Sequence, residues 1–150
     1  MTAPLIRPVA LHELDQLLAL YQHLHPTDAP LPARDELDAL WRRILADPQL
    51  HYLVAEVDGQ LVASCTLAVI ANLTRGARPY AVVENVVTHA AFRRRGVAKA
   101  LLRDAIARAW QAGCYKVMLL SGTEREAAHT LYESIGFARG TKVAFVIKRD

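Results

Sequence analysis

The sequence has few cysteines, and none of them is paired in the way that metal sites require. Its 150 residues contain only two, Cys65 and Cys114. Both lie in apolar runs, and no C-x-x-C spacing occurs, so we expect two small buried thiols rather than a metal centre or a disulfide.

The sequence also has no stretch suited to crossing a membrane. The opening MTAPLIRPVALHELDQLL has no basic region ahead of a continuous apolar run, and no later run is long enough to span a bilayer. We therefore expect a soluble, cytoplasmic protein without a membrane partner.

Composition and charge are those of an ordered globular protein. Hydrophobic residues make up 53% of the chain and charged residues 22%, and 150 residues suit one domain over 1–150 with a proper core. The net charge is only +3, but basic residues are concentrated around 93–108. This concentration favours a local anion site over a general nucleic-acid surface.

Hydrophobic periodicity predicts the secondary structure. Helices are predicted over 9–21, about 33–46, about 96–112 and 124–135, and a proline-rich loop over 23–32. Strands are predicted at 5–8, on both sides of an Asp58-Gly59 turn within 51–73, at 77–89 and at 115–120. The segment 77–89 is almost wholly apolar, as expected for a strand buried on both faces. The alternation of Val143, Phe145 and Ile147 predicts a final strand. This order predicts an α/β (α+β) fold, in which a mixed, mainly antiparallel sheet is flanked by helices on both faces.

Three consecutive arginines, Arg93–Arg95, precede Gly96 between a predicted strand and a predicted helix. A helix N-terminus exposes unpaired N–H groups and a partial positive charge, which together bind phosphate. Gly96 would let the backbone approach a ligand closely, and arginines add forked donors matched to phosphate oxygens. A bound pyrophosphate would relieve the repulsion among the arginines; the alternative is a solvated basic turn.

Neither G-x-x-x-x-G-K-[ST] nor G-x-G-x-x-G occurs in the sequence. The stretch Arg93–Ala98 instead resembles the acetyl-CoA signature [RQ]-x-x-G-x-[GA] of the GNAT superfamily of N-acetyltransferases. The resemblance covers roughly 80–138, through ENVVTHAAFRRRGVAKALLRDAI and LYESIGF, and in detail is greatest to small amino-sugar and general amine acetyltransferases.

The resemblance implies acetyl-CoA as co-substrate and no metal. It places the pantetheine arm on the backbone of a strand that splays from its neighbour, and the pyrophosphate on the amides of the turn. Lys99 or Arg103 would approach the ribose phosphate, and Ser121 would bind water or pantetheine. The residues so assigned are Val86, Val87 and Thr88 for pantetheine, and Arg93, Arg94, Arg95, Gly96, Val97, Ala98 and Lys99 for the pyrophosphate.

Acetyl transfer needs a group that accepts a proton from the amine and another that donates one to the departing thiolate. Glu84 lies within an apolar strand, where a carboxylate is costly unless paired or functional, and by alternation it shares a face with Val82 and Val86. The resemblance assigns Glu84 as general base; the alternative is a structural Glu that bridges to an arginine or to backbone amides. It assigns Tyr132, on the apolar stripe of its helix, as general acid, where packing alone is the alternative. Asn85 would face away from Glu84 and mark a bulge.

The predicted function is transfer of an acetyl group to a primary amine by direct attack in a ternary complex, since no histidine is arranged to activate either cysteine. The alternative is a non-catalytic acyl-CoA sensor or partner subunit with the same fold. A nucleic-acid adaptor is disfavoured because aromatics are not interleaved with the basic residues. A small-molecule acceptor is expected, a protein amine and a homodimer remain open, and His23 and His25 in the proline-rich loop are weaker substrate candidates.

Overall fold

The computed structural model describes residues 2–149, which form one five-stranded sheet with helices on both faces. The strands are β1 (Leu5–Pro8), β2 (Leu50–Val57), β3 (Gln60–Ile70), β4 (Tyr80–Thr88) and β5 (Val117–Leu119). The helices are α1 (Leu14–Tyr21), α2 (Arg34–Ala46), the single turn α3 (Thr74–Ala77), α4 (Val97–Gln111) and α5 (Glu126–Ile135), with 3-10 turns at Leu11–Glu13 and Ala90–Phe92. The predicted fold class is confirmed.

The order of the strands across the sheet, β1-β2-β3-β4-β5, is the same as their order along the chain. The first four pair antiparallel, and β5 pairs parallel to β4 after the α4 crossover. At the β2–β3 turn, Asp58 and Gly59 both have positive φ, as a two-residue hairpin turn requires. This hairpin is the one predicted from the sequence.

Two hydrophobic clusters cover the two faces of the sheet. One joins Leu17 of α1 and Trp41 of α2 to the sheet residue Val54. The other joins Leu101 and Leu102 of α4 to strand residues, and includes the buried Tyr132 of α5. Helices α1 and α2 therefore pack on one face, and α4 and α5 on the other.

An ion-pair network fixes the start of the first helical segment. The Arg7 guanidinium of β1 lies 2.7 Å from a Glu13 carboxylate oxygen and 2.6 Å from a Glu56 carboxylate oxygen. Glu13 also accepts a hydrogen bond of 2.7 Å from the Ala10 amide. The bonds to Arg7 and the Ala10 amide hold the pKa of Glu13 down at about 2, against the opposing effect of burial.

A bulge interrupts β4 at its centre. Thr66 of β3 pairs with Glu84 and Ser64 with Val87, so that Cys65 lies opposite both Asn85 and Val86. Asn85 has φ +53°, which places it at the bulge as predicted. The prediction that β4 is buried on both faces is wrong at Glu84 and Asn85, which are both exposed.

The predicted final strand is absent from the described residues. Helix α5 ends at Gly136, whose φ of +116° is the expected helix-terminating conformation. Residues 141–149, defined here as the C-terminal segment, pair with no strand in residues 2–149. Strand β5 is also shorter than the predicted 115–120.

The described residues contain no helix with the length and apolar character that a bilayer span requires.

Candidate active site

A cleft opens where β4 and β5 separate. In the described chain the two strands pair only from Ala81 to Val83 on β4 and from Val117 to Leu119 on β5, whereas β4 continues to Thr88. Beyond Val83, the β4 backbone groups that face β5 therefore have no strand partner. The sheet splays at this point, and residues from both faces of the sheet line the opening.

Glu84 lines this cleft from the face covered by α1 and α2. It pairs across the sheet with Thr66, while Leu24 and His25 of the loop after α1 line the same cleft. Glu84 is exposed and forms no ion pair with any residue of 2–149, so the expectations of a costly buried carboxylate and of a structural ion pair both fail. The predicted shared face with Val86 is also wrong, because the bulge turns Val86 onto the α4 side.

Tyr132 lines the cleft from the opposite face. It lies in the cluster around α4, is 8% exposed, and meets the Phe137 ring edge-on at a centroid distance of 6.1 Å. Burial raises its pKa above the ordinary value of 10.0, which the nearby Arg125 partly offsets. The hydroxyl is therefore kept protonated beside the cleft.

The arginine–glycine turn follows β4 and contains two residues with left-handed backbone. Arg94 has φ +61° and Gly96 has φ +78°. A β-carbon added at Gly96 would meet no atom within 4 Å, so the positive φ, and not crowding within the chain, requires glycine here. Arg94 adopts the same region at a steric cost, a kind of strain that is concentrated at functional sites.

The start of α4 leaves its backbone donors unpaired. Gly96 is the N-cap and supplies no side-chain hydrogen bond, and the first turn contains no acidic residue. The N–H groups of Val97, Ala98 and Lys99 precede the first intrahelical bond, which runs from Ala100 N to the Gly96 carbonyl. This helix end has the donors and the dipole of an anion site.

The three arginines differ in their contacts. Arg93 donates to the carbonyls of Thr88 at 3.2 Å and of His23 at 3.1 Å, and so ties the turn to the loop after α1. The guanidinium of Arg95 lies 5.5 Å from the Phe92 ring centroid. Arg94 is exposed and makes no ion pair or side-chain hydrogen bond within residues 2–149, which leaves its guanidinium available to a ligand.

The predicted pantetheine residues follow the bulge. Val87 is buried, Val86 and Thr88 are half-buried, and all three lie on the part of β4 that β5 no longer covers. Ser121 lies two residues beyond β5, and its hydroxyl is buried without a hydrogen-bond partner in the described chain. Lys99 and Arg103 lie on α4, with Arg103 exposed.

Histidines tie the loop after α1 to the turn. His23 Nδ1 accepts a hydrogen bond of 3.3 Å from the Ala90 amide, and the His23 and His89 rings lie 4.2 Å apart. Burial, together with the neighbouring His89 and Arg93, lowers the pKa of His23. His25 instead lines the cleft.

Sequence reasoning missed Arg125 and Leu120 as residues that line the cleft. Neither belongs to a motif. Their position follows from the short β5 and the loop after it, which periodicity does not predict.

The cysteines are free and buried, as predicted. Burial raises the pKa of Cys65 to about 12 and also raises that of Cys114. Both thiols stay protonated and are poor nucleophiles. Residues 2–149 contain no group of three or more His, Cys, Asp or Glu side chains suited to a metal ion.

Comparison with known proteins gives a consistent result. The family model described as "Acetyltransferase (GNAT) family" matches residues 14–137. A curated relative, the glucosamine 6-phosphate N-acetyltransferase of Trypanosoma brucei brucei, is 37% identical over 79 residues, which cover 53% of this chain and 52% of that protein. The matched part thus spans about half the length of the curated relative.

Solved structures match over nearly the whole chain. "Putative acetyltransferase" from Agrobacterium tumefaciens superposes with a TM-score of 0.90 at 45% identity, over 97% of this chain and 99% of that one. The glucosamine-6-phosphate N-acetyltransferase of Arabidopsis thaliana shares the fold, with a TM-score of 0.85 at 20% identity over 99% of this chain and 100% of that one.

Proposed function

Because the chain belongs to the acetyltransferase (GNAT) family, we propose that it transfers an acetyl group from acetyl-CoA to a primary amine. Residues 1–150 act as one acetyltransferase domain, in which the amine attacks directly within a ternary complex. The observation that carries the proposal is the cleft at the β4–β5 splay, which is lined by Glu84 on one side and Tyr132 on the other.

Acetyl-CoA fits the backbone groups that the fold leaves without partners. The free edge of Val86, Val87 and Thr88 would pair with the pantetheine arm, since these residues lie past the last β4–β5 pair. The amides from Arg94 to Lys99 would hold the pyrophosphate. When bound, acetyl-CoA supplies an activated acetyl thioester.

Among the three arginines of the turn, Arg94 is the one that would contact the pyrophosphate. Lys99 or Arg103 would lie near the ribose phosphate. Arg93 already bonds two carbonyls. Its role is to hold the turn against the loop after α1, and it adds charge without needing to leave those bonds.

Glu84 acts as general base on the acceptor side. Its carboxylate is exposed to the cleft and has no ion-pair partner in residues 2–149, so it is available to accept a proton from an alkylammonium, directly or through water. The amine has a pKa of roughly 10 in water, and removing its proton makes it nucleophilic.

Tyr132 acts as general acid on the thiol side. Its hydroxyl is kept protonated by burial and lines the cleft, so it can donate to the departing thiolate. The raised pKa values of Cys65 and Cys114 disfavour a covalent thiol route and support direct attack.

The acceptor is a small-molecule amine, and the amino-sugar class has the most support because the curated relative is a glucosamine 6-phosphate N-acetyltransferase. A protein amine, acyl-chain preference, homodimer formation and a cytoplasmic location stay predictions.

The test is coenzyme A release from acetyl-CoA with a panel of amines, measured with a thiol reagent. At least one amine should raise release well above the hydrolysis background. Glu84→Gln should then lower kcat about 100-fold or more at pH values below the amine's pKa. Glu36→Gln, an exposed carboxylate on α2, is the matched control and should leave kcat unchanged.

If acetyl-CoA binds but no amine promotes release, the chain is an acyl-CoA sensor or partner subunit, and the proposal is wrong. Unchanged kcat in Glu84→Gln would remove the base role alone.

A further inference from the structure

Two buried hydroxyl groups on the sheet face covered by α1 and α2 have no hydrogen-bond partner in the described chain. They belong to Thr66 of β3 and to Tyr21, the last residue of α1. Thr66 is only 7% exposed. Buried hydroxyl groups are nearly always hydrogen-bonded, so two unpaired ones indicate a bond that forms in another state of the site.

Thr66 lies directly beside Glu84 in the sheet, because the two residues are paired across β3 and β4. Leu67 and Val83, which precede or follow them along these strands, belong to the cluster around α4. By alternation, Thr66 and Glu84 therefore both face α1 and α2. Paired side chains on one face have Cβ atoms about 4.5–5.5 Å apart, so a rotation of the Glu84 side chain brings its carboxylate to the Thr66 hydroxyl.

Tyr21 covers Thr66 from the helix side. It packs on the cluster that contains Trp41. Burial raises the pKa of Tyr21, and the neighbouring Thr66 side chain acts in the opposite direction. The Tyr21 carbonyl accepts hydrogen bonds from the amides of Leu24 and His25, at 3.0 and 2.9 Å, and both of these residues line the cleft. The Tyr21 hydroxyl is therefore a protonated group at the edge of the acceptor side.

A pair of hydroxyl groups cannot satisfy all of its own donors. Each hydroxyl carries one proton, so if Tyr21 donates to Thr66, the Thr66 proton still needs an acceptor. Ser64, two residues earlier on the same face, has its acceptor in the Leu53 carbonyl at 2.9 Å. Glu84 is the one carboxylate among the described residues that line the cleft, and it forms no ion pair within residues 2–149. Its two oxygens give Thr66 the acceptor that it lacks.

We propose that the Thr66 hydroxyl, backed by Tyr21, donates a hydrogen bond to the Glu84 carboxylate when coenzyme A occupies the cleft, and so holds this base towards the acceptor amine. Thr66 is then a positioning residue that acts through Glu84, a role that rests on the proposed function. One carboxylate oxygen accepts from Thr66 and the other faces the amine. The proton that Glu84 takes up comes from the amine, and Thr66 and Tyr21 keep theirs.

The effect on stability separates this role from a structural one. A buried hydroxyl without a partner lowers stability, and its replacement by an apolar group of the same shape is nearly neutral or stabilising. Thr66→Val should therefore leave the urea-unfolding midpoint unchanged or higher. A structural role would instead lower the midpoint together with the activity.

The kinetic experiment uses an amine that promotes coenzyme A release. Thr66→Val should lower kcat about 10-fold and change the KM for the amine by less than about 2-fold, since one hydrogen bond to a charged group is lost in the proton-transfer step. Thr66→Ser, which keeps the hydroxyl, should restore most of the kcat. Tyr21→Phe should lower kcat by a smaller factor, about 3-fold.

Ser64→Ala is the matched control. It removes a hydroxyl from the same strand and face, but one that is already bonded to the Leu53 carbonyl. It should lower the unfolding midpoint and leave kcat unchanged. In the Glu84→Gln background, Thr66→Val should lower kcat no further, because its effect passes through the carboxylate. Additive losses in the double variant, or a kcat that follows stability across the variants, overturn the proposal.

A crystal structure with coenzyme A gives a readout that does not depend on turnover. The Thr66 Oγ1 atom should lie about 2.5–3.0 Å from a Glu84 carboxylate oxygen. Thr66 bonded to Tyr21 alone, with Glu84 directed to solvent, overturns the proposal. If no amine promotes release by the unaltered chain, the proposed function fails; in that case, or if Thr66→Val does not fold, this distance alone decides whether Thr66 positions Glu84.

Discussion

At the scale of single residues, the fold treats the two proposed catalytic groups differently. Glu84 is exposed on the α1–α2 side of the sheet, and Tyr132 is buried on the α4–α5 side. Burial favours the protonated form of the Tyr132 phenol. The two proposed groups thus differ in environment as well as in position.

The first prediction concerns Tyr132→Phe. Loss of the proton donor should lower kcat about 100-fold while leaving the KM for acetyl-CoA nearly unchanged. Because burial raises the pKa of Tyr132, the alkaline loss of activity in the unaltered enzyme should occur at a higher pH than the titration of an ordinary tyrosine. Steady-state rates against pH check both points.

The control for this prediction is Tyr115→Phe, a half-buried tyrosine outside the cleft, which should retain its kcat. Equal kcat for the unaltered chain and Tyr132→Phe would show that the tyrosine only packs.

At the scale of elements, the turn before α4 and the splay of β4 from β5 create the proposed cofactor site. Left-handed backbone at Arg94 and Gly96 brings the chain from the strand into the helix with its first N–H groups unpaired. The splay exposes strand backbone at the same end of the sheet. Both features supply donors from the main chain, so one pyrophosphate-bearing ligand can use them together.

The second prediction compares two glycines at opposite ends of α4. Gly96 has φ +78° and Gly113 has φ +84°, and a β-carbon at either meets no atom within 4 Å. Substitution by alanine should therefore destabilise the protein by a similar amount, about 1 kcal/mol, in urea unfolding. Only Gly96→Ala should also raise the KM for acetyl-CoA, because the amides of that turn are the ones proposed to bind the pyrophosphate.

Equal effects of the two substitutions on the KM for acetyl-CoA would mean that Gly96 is needed for the stability of the helix and not for binding the ligand.

Much of the secondary structure was predictable from the sequence. Periodicity identified the helices and the Asp58-Gly59 hairpin because these are local features. The bulge at Asn85 was expected, but its effect on which face of the sheet Val86 occupies was not, because strand alternation assumes unbroken pairing. The sequence does predict a strand near Phe145; whether it pairs within the chain depends on tertiary contacts that no local pattern reports.

The same limit applies to the site. The Arg93–Ala98 motif located the turn, yet it could not distinguish Arg93, which bonds backbone carbonyls, from the unpaired Arg94. Arg125 entered the cleft through a loop without a motif.

At the scale of the whole molecule, the described chain leaves several large apolar side chains of the C-terminal segment exposed to solvent. Val143, Phe145 and Ile147 are 78%, 92% and 98% exposed, and Val146 is 68% exposed. Burial of each such side chain would contribute roughly 1.5–3 kcal/mol.

The third prediction concerns acid stability. The pKa of Glu13 falls from its ordinary 4.5 to about 2 in the folded chain, chiefly through its bonds to Arg7. Folding therefore favours the charged form, so the contribution is complete above about pH 5 and is lost as the pH falls towards 2. Glu13→Gln should lower the free energy of unfolding by up to about 3 kcal/mol at neutral pH.

The difference between Glu13→Gln and the unaltered chain should shrink steadily in urea titrations from pH 5 to about pH 2. Glu36→Gln, which is exposed, should show little difference at any of these pH values. A gap that stays constant with pH would mean that packing, and not the Arg7 bonds, accounts for the loss.

The most direct measurement is a crystal structure of the full chain with coenzyme A. We expect pyrophosphate oxygens within hydrogen-bond distance of the amides at the start of α4, and the pantetheine arm along Val86–Thr88 between β4 and β5. A ligand bound elsewhere, or a splay that stays closed to it at saturating concentration, would rule out the proposed cofactor site.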